Sequence, residues 1–446
     1  MSAPIESLLR DSRIDLILNR IENDPNVINE VIKHLQSDIR SIRFNAILVL
    51  GELGKVSSSG VSELTECLND NDWSVCREAL RSLGKIGNAA ENTIIEISKL
   101  IKNDEVSIRK EAVIALGKMR IANDESISSL IIGLNDENEE VRKEAAIALG
   151  EIESSDSKAI SQLINCIRDQ SWQVRTEAVR SLSKIGKGAI NAIPSLLPAL
   201  SDKDWRVRKA VINTLIQLED NAIPSLLRYM EHYNPIVRKG VIEAFGEMKV
   251  SNPEVLNKIF LALRDKKKGI QGKAADSLRN IGKPAIPRLI EGLKDQNKRR
   301  KSLVIWAIGG MGEDASEAIP YLINNLKEES AIIRIETARA LGKLGDIAKN
   351  AIPELIGLLK DSKAKVRKAV AVALGKMGSS SREAIPALIE ALDDDEPDVR
   401  WRASEALGSI GISTEEVFSS LNNLIHDKCD YVCEAAILAI EKIKEQ

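Results

Sequence analysis

The 446-residue sequence predicts an all-α fold, a right-handed superhelix of stacked two-helix repeats. Three observations carry that expectation. The pattern VRKEAAIALG at 141–150 returns at a fixed step, its second position reading Arg43, Cys76, Arg109, Arg142, Arg175, Arg208, Arg238, Gln271, Lys301, Arg334, Arg367, Arg400 and Cys433. The steps are 33 residues, except two of 30, so thirteen like units fill residues 26–446. Aromatics are only 3% of the chain, while small and branched aliphatic residues are abundant, as closely packed helices require. No Pro/Gly/Ser-rich linker interrupts the pattern, so a single continuous array is expected rather than separate globular domains.

The array begins with a capping segment, residues 1–25. Within it Ile5, Leu8, Leu9, Leu16, Ile17 and Ile21 mark one amphipathic helix over 5–22, placed to cover the apolar face of the first unit. Each unit then reads as two antiparallel helices. In residues 351–378, Ile352, Leu355, Ile356, Leu358 and Leu359 form the stripe of the first, and Val366, Val370, Ala373, Leu374 and Met377 that of the second. Pro353 suits the first turn of the first helix, where a missing N–H costs nothing, and Pro194, Pro224, Pro287, Pro320 and Pro386 hold the same phase. Gly375 permits close backbone approach, and Gly378 ends the second helix. The two shorter units lose residues at 218–224 and 281–287, between helices, so only a connection contracts. The polar end IEKIKEQ closes the last unit, and both ends therefore read as finished. Thirteen layers at about 10 Å each imply a path of about 130 Å.

Six residues before the marker, nine units carry an acid: Asp70, Asp136, Asp169, Asp202, Asp265, Asp295, Asp361, Asp394 and Asp427. An Asp in the turn between helices can accept turn amides and a charge-assisted bond from an Arg of its own or an adjacent unit. Such regularity points to a structural ladder along the turn edge. Cys76 and Cys433, in place of Arg near the two ends, are rungs the stack does not require.

The pattern V-R-x-x-A-x-x-A-L-G-x-I-G, with A-I-P-x-L-I opening the first helix, resembles the HEAT-repeat family over roughly 26–446, and most of all its phycobilisome-lyase HEAT-like subclass. That resemblance implies the superhelix above. For function it implies one of three things: a protein-binding scaffold or adaptor, a subunit of a bilin lyase handling tetrapyrroles, or a di-iron hydroxylase. The last needs several His-Glu pairs gathered from facing helices. His34, His232 and His426 are followed by Leu, Tyr and Asp and lie in widely separated units, so the hydroxylase is rejected.

Other chemistry is thin. His426, Cys429 and Cys433 lack a fourth ligand for zinc and read as a surface His and two partly buried thiols. The glycines of GGMGED at 309–314 lack the Lys-Ser/Thr ending of a phosphate loop and match the helix-ending phase of other units. No histidine sits beside a plausible nucleophile. Neither cofactor nor metal nor catalytic residue is therefore expected. The net charge is −3, no apolar run approaches the roughly 20 residues that cross a bilayer, and the start lacks a signal peptide, which places the protein in the cytoplasm. Five scattered cysteines argue against a disulfide framework.

Surface is what remains. The resemblance places the second helices on the concave side, with positions one, two, five and nine after the marker facing out. Examples are Lys143, Glu144, Ile147 and Glu151, or Lys368, Ala369, Val372 and Lys376. The apolar departures there, Phe44, Leu48, Trp306, Ile335 and Trp401, are candidate binding residues, with packing between units as the alternative. Trp73, Trp172 and Trp205 share one phase in the turn and read as turn-packing residues. Between Lys258 and Lys301 the chain has fourteen Lys and Arg against four acids. Of these, Arg264, Lys266, Lys267, Lys268, Lys273, Lys298, Arg299, Arg300 and Lys301 make a basic patch on the turn edge. The expected partner is a protein with an acidic segment. A nucleic-acid backbone ranks below it, because aromatic interleaving is missing from the patch. A tetrapyrrole carrier of the bilin-lyase kind is the other alternative.

Overall fold

The computed structural model describes residues 3–445, which are helical with no strand among them. They divide into two compact units, Met1–Leu226 and Leu227–Gln446. The first is built on second helices Arg40–Leu53, Trp73–Ile86, Val106–Met119, Glu139–Ile152, Trp172–Ile185 and Trp205–Gln217. The second holds Pro235–Met248, Lys268–Ile281, Lys298–Ile308, Ala331–Leu344, Ala364–Met377, Pro397–Ile410 and Asp430–Glu445. Every marker residue is the fourth residue of one of these helices, so the spacing in the sequence is the spacing of the helices. Within each compact unit, successive second helices pack side by side and the shorter first helices form the other layer.

The A-x-x-A-L-G element is what lets the second helices approach. A Cβ built on Gly309 would lie 2.7 Å from the Cα of Ala340, and one on Gly342 would lie 2.6 Å from the Cα of Ala373. The glycine of one helix is thus the seat for the alanine of the next, and dispersion contacts replace the missing methyl. Where serine takes the alanine's place its hydroxyl is buried but satisfied. Ser181 donates to the Ala146 carbonyl at 2.7 Å, and Ser277 to that of Ile242 at 2.8 Å.

Connections from second to first helix come in two kinds. After Gly87, Gly186, Gly345 or Gly378, all at positive φ, the chain runs through seven 3₁₀ residues into a first helix of six or seven residues. Pro194, Pro353 and Pro386 sit in its first turn. After Arg120, Glu153 or Lys249, which take positive φ without being glycine, the chain is extended instead, and Asn123, Asp156 or Asn252 caps a ten-residue first helix. The two contracted connections are 3₁₀ segments of four and three residues, Glu219–Ala222 and Lys283–Ala285, with the flanking helices intact.

The single helix expected over 5–22 is two helices, Ile5–Arg10 and Ile14–Asn23. Ser12 takes φ of 55° at the break. Asn45, buried in helix Arg40–Leu53, donates to the Leu9 carbonyl at 2.7 Å and to the Ser12 hydroxyl at 3.0 Å, which satisfies the broken end. Ile5, Leu8, Leu9, Ile17 and Ile21 are buried as the pattern predicts, but Leu16, assigned to the same stripe, is exposed because the break rotates it away.

The turn-edge ladder is built between units. Arg142 donates through Nη1 to the carbonyl of its own unit's Asp136 at 2.9 Å. Through Nε and Nη2 it grips the carboxylate of the next unit's Asp169 at 2.8 and 3.0 Å. Asp169 in turn accepts the Ser171 amide at 2.8 Å. Arg43–Asp70, Arg109–Asp136, Arg175–Asp202, Arg238–Asp265, Arg334–Asp361, Arg367–Asp394 and Arg400–Asp427 repeat the bidentate grip. These pairs are well shielded, with side-chain exposure of 8% on both partners at Arg109–Asp136. Lys301 with Glu328, at 2.6 Å, is the same rung in other residues. Cys76 reaches only the Leu68 carbonyl, 3.1 Å away, and Asn103 stands where its acid would be, so base and acid are lost together.

Candidate binding surface

The positions read as the exposed concave lining are more covered than their spacing suggests. Phe44, Leu48, Trp306, Ile335 and Trp401 are each half-buried, as are Lys143, Glu144, Ile147 and Lys368, while Ala369 is fully buried. Close glycine-to-alanine seating draws neighbouring helices together and removes most of the expected exposure. Cations cover the aromatic members further. The Arg279 guanidinium lies 4.6 Å from the Trp306 ring centre, and Arg402 lies 3.6 Å from that of Trp401. Tyr431 meets Trp401 edge-on at 5.5 Å, and Arg40 stands 5.6 Å from Phe44.

The reverse holds for the turn tryptophans. Trp73 and Trp205 are 53% and 65% exposed, which corrects the turn-packing assignment. Each is the first residue of its helix, as Trp172 is. Arg206 stands 3.2 Å from the Trp172 ring centre and leaves that ring half-buried, while Arg77, 4.8 Å from the Trp73 ring centre, leaves Trp73 exposed.

The structure sorts the basic patch into two groups. Carboxylates occupy Lys258 (Glu231), Lys273 (Glu243, 3.7 Å), Arg288 (Glu291, 2.6 Å), Arg300 (Asp295, 2.8 Å) and Lys301 (Glu328, 2.6 Å). Lys301 is also buried, so it belongs to the ladder and leaves the surface. Arg299 donates to the Gln271 side chain at 2.9 Å, and Gln271 donates to the Asp265 carbonyl at 2.7 Å. In contrast Arg264, Lys266, Lys267, Lys268, Lys294 and Lys298 are exposed and make no ion pair among the described residues. Four of these crowd the turn before helix Lys268–Ile281, and two the turn before helix Lys298–Ile308.

The acids nearby are already engaged. The Arg300 guanidinium holds the Asp295 carboxyl below the usual range against the opposing effect of burial. Burial pushes the Asp265 carboxyl up, but the Arg238 guanidinium and the Lys267 amide outweigh it and leave it below its ordinary value. Both stay ionised near neutrality, committed to arginines of the scaffold.

A neighbouring feature escaped the sequence reading. Met230, Glu231, His232, Tyr233, Leu261, Ala262, Arg264 and Lys266 are among the residues lining an open pocket of about 420 Å³. His232 stacks on Tyr229 at 5.4 Å and leans against Tyr233 at 4.4 Å. Tyr233 is 87% exposed. The missing signal was distance along the chain: Tyr233 precedes Lys266 by one repeat, so no local window contains both.

Features of catalysis are sparse among the described residues. No cluster of three metal-ligating side chains occurs there, His426, Cys429 and Cys433 included. Burial pushes the thiols of Cys67, Cys76 and Cys166 up to about 12, 11 and 11, away from nucleophilic use. No described helix is long and apolar enough to cross a membrane.

A family model of HEAT repeats matches the sequence in overlapping windows running from 28–117 to 352–441. The chain belongs to the HEAT-repeat family. Among solved structures, Kap121p is similar at 13% identity with a TM-score of 0.56, over 100% of this chain and 56% of that one, so this HEAT chain spans little more than half of its length. An engineered protein is similar at 21% identity with a TM-score of 0.32, over 94% of this chain and 98% of that one. At 13% identity the likeness to Kap121p is one of fold alone. The curated proteins contain no matching sequence.

Proposed function

We propose that this HEAT-repeat protein is a non-catalytic scaffold that holds a protein partner through an acidic segment laid along the turn edge of residues 264–301. One observation carries the reading. Arg264, Lys266, Lys267, Lys268, Lys294 and Lys298 stand exposed without an ion pair on consecutive turns, whereas the marker arginines Arg109, Arg142 and Arg175 are held in ladder pairs. Concentrated cations of one sign attract an acidic chain and speed its docking. Apolar contacts are offered separately by Phe44 and Leu48 in the first compact unit and by Trp306, Ile335 and Trp401 in the second, each half-buried before any partner arrives. Residues 5–23 serve as the cap of the first repeat, and the phycobilisome-lyase HEAT-like subclass remains our finer family reading.

The test is a comparison of wild type with a variant carrying Lys266→Glu, Lys267→Glu, Lys268→Glu and Lys298→Glu. Partners are captured from native lysate and identified by mass spectrometry, and each is then bound as a purified protein at several salt concentrations. An acidic protein held by the wild type, released by salt and lost by the variant is the expected result. Identical retention by both proteins sinks the reading, as does recovery of nucleic acid alone. A new visible absorbance band on mixing with bilin or haem would move the assignment to a tetrapyrrole carrier.

A further inference from the structure

We infer that the pocket between Tyr233 and Lys266 receives one aromatic side chain from within the acidic segment, so that the partner's motif is a ring flanked by carboxylates. The inference rests on the reading of this edge as an acidic-segment site, and adds to it the identity of the anchor. Its grounds are in the lining. The lining combines the His232 and Tyr233 rings with Met230, Ile242, Leu261 and Ala262, and charged side chains make up the rest. A volume of about 420 Å³ has room for an aromatic side chain and is too small for a folded element. His232 is held in place, since its Nδ1 accepts the Asn234 amide at 3.1 Å while its ring stacks on Tyr229.

The rim is charged in one direction. Arg238 is taken by Asp265 and Lys258 by Glu231, which exhausts the acids of the lining. Arg264 and Lys266 are left over, and Lys267 and Lys268 continue the row on the same turn. A ligand that presents an apolar ring inward and negative charge along the 264–268 turn therefore matches both the lining and its unpaired cations. Single-stranded nucleic acid shares both properties but repeats them, a base for every phosphate, and is held on successive stacking platforms. Along the basic stretch of residues 230–301 the exposed aromatic station occurs once. The next turn, at 294–298, offers Lys294, Gln296, Asn297 and Lys298 and no ring. A peptide with one ring among several acids matches that arrangement, since exposed Tyr233 gains burial from a single partner ring and the lysines gain carboxylates.

The test uses fluorescence anisotropy on the full chain with three probes: a labelled peptide of six glutamates around one phenylalanine, the same peptide with alanine at its centre, and a labelled oligouridylate. Tighter binding of the phenylalanine peptide by about tenfold is expected, with Tyr233→Ala abolishing that preference and leaving the alanine peptide unaffected. Arg264→Glu should weaken both peptides together. Equal affinity for the two peptides overturns the ring pocket while leaving the acidic-segment reading standing, and failure of both peptides to bind overturns the two together. Tighter binding of oligouridylate than of either peptide, lost in Tyr233→Ala, would assign the site to nucleic acid instead. Tyr233 is exposed, so its substitution does not disturb the core, and unchanged circular dichroism checks this directly.

Discussion

The turns at 136–202 and the turns at 264–301 are built on the same plan and have opposite surface properties. In the first, Arg109, Arg142 and Arg175 are each gripped by the Asp of the following repeat, and the rungs are closed. In the second, Gln271 stands where the arginine belongs, and Asp295 is taken by Arg300 from its own helix. Helix Lys268–Ile281 also contains Gly269 and Gly272, whose missing Cβ atoms would meet nothing within 4 Å. They serve no close approach, so they only weaken the helix. The comparison teaches that a ladder consumes its cations. A complete rung holds its cation inside the scaffold, whereas the cations of 264–268 and 294–298 lie outside the rungs and stay exposed. The same contrast appears in the totals, with 28 basic residues against 34 acids in 1–226 and 35 against 32 in 227–446.

The contrast is broken most forcefully at a closed rung. Arg109→Ala strands a shielded Asp136 and two turn carbonyls, and should cost about 3 kcal/mol in urea unfolding. Gln271→Ala in the open region should cost about 1 kcal/mol or less. Equal losses would erase the distinction. The next effect is steric. Gly342→Val drives a side chain into the Ala373 backbone and should destabilise by about 2 kcal/mol, whereas Gly272→Ala should stabilise by about 0.5 kcal/mol.

Acid sharpens the comparison further. The Arg400 guanidinium holds the folded Asp427 carboxyl below its ordinary range, and Asp136 and Asp394 are likewise depressed, Arg109 and Arg367 overcoming the upward push of burial. A depressed folded value gives stability that is present above the unfolded carboxylate pKa of about 3.9 and is lost as pH falls through the folded value. Unfolding followed from about pH 5 down to about pH 2 should therefore show a decline that flattens in Arg400→Leu. An unchanged slope in that variant would mean the rung contributes nothing. The smallest effect is expected from Trp205→Ala. Its ring is exposed, and thermal unfolding should move by no more than about 0.5 kcal/mol.

Sequence by itself determined the repeat, the thirteen second helices, the prolines that start the first helices and the residues of the ladder, because each is a local choice made again at every period. It also showed the charge excess of 264–301, though not which of those cations are paired. What only tertiary structure decided is which partner each side chain meets. The ladder arginine could have bonded its own or its neighbour's Asp, and stacking distance selected a carbonyl of the first and the carboxylate of the second. Trp401 and Trp306 looked open by phase, yet neighbouring helices bring Lys368 and Arg279 over their rings. Leu16 left its stripe at a break that Asn45 secures from another helix. Tyr233 and Lys266, a repeat apart in sequence, line one pocket. Periodicity specifies where a residue sits on its own helix, but exposure and charge pairing are properties of two helices at once, and those were settled only when the layers closed together.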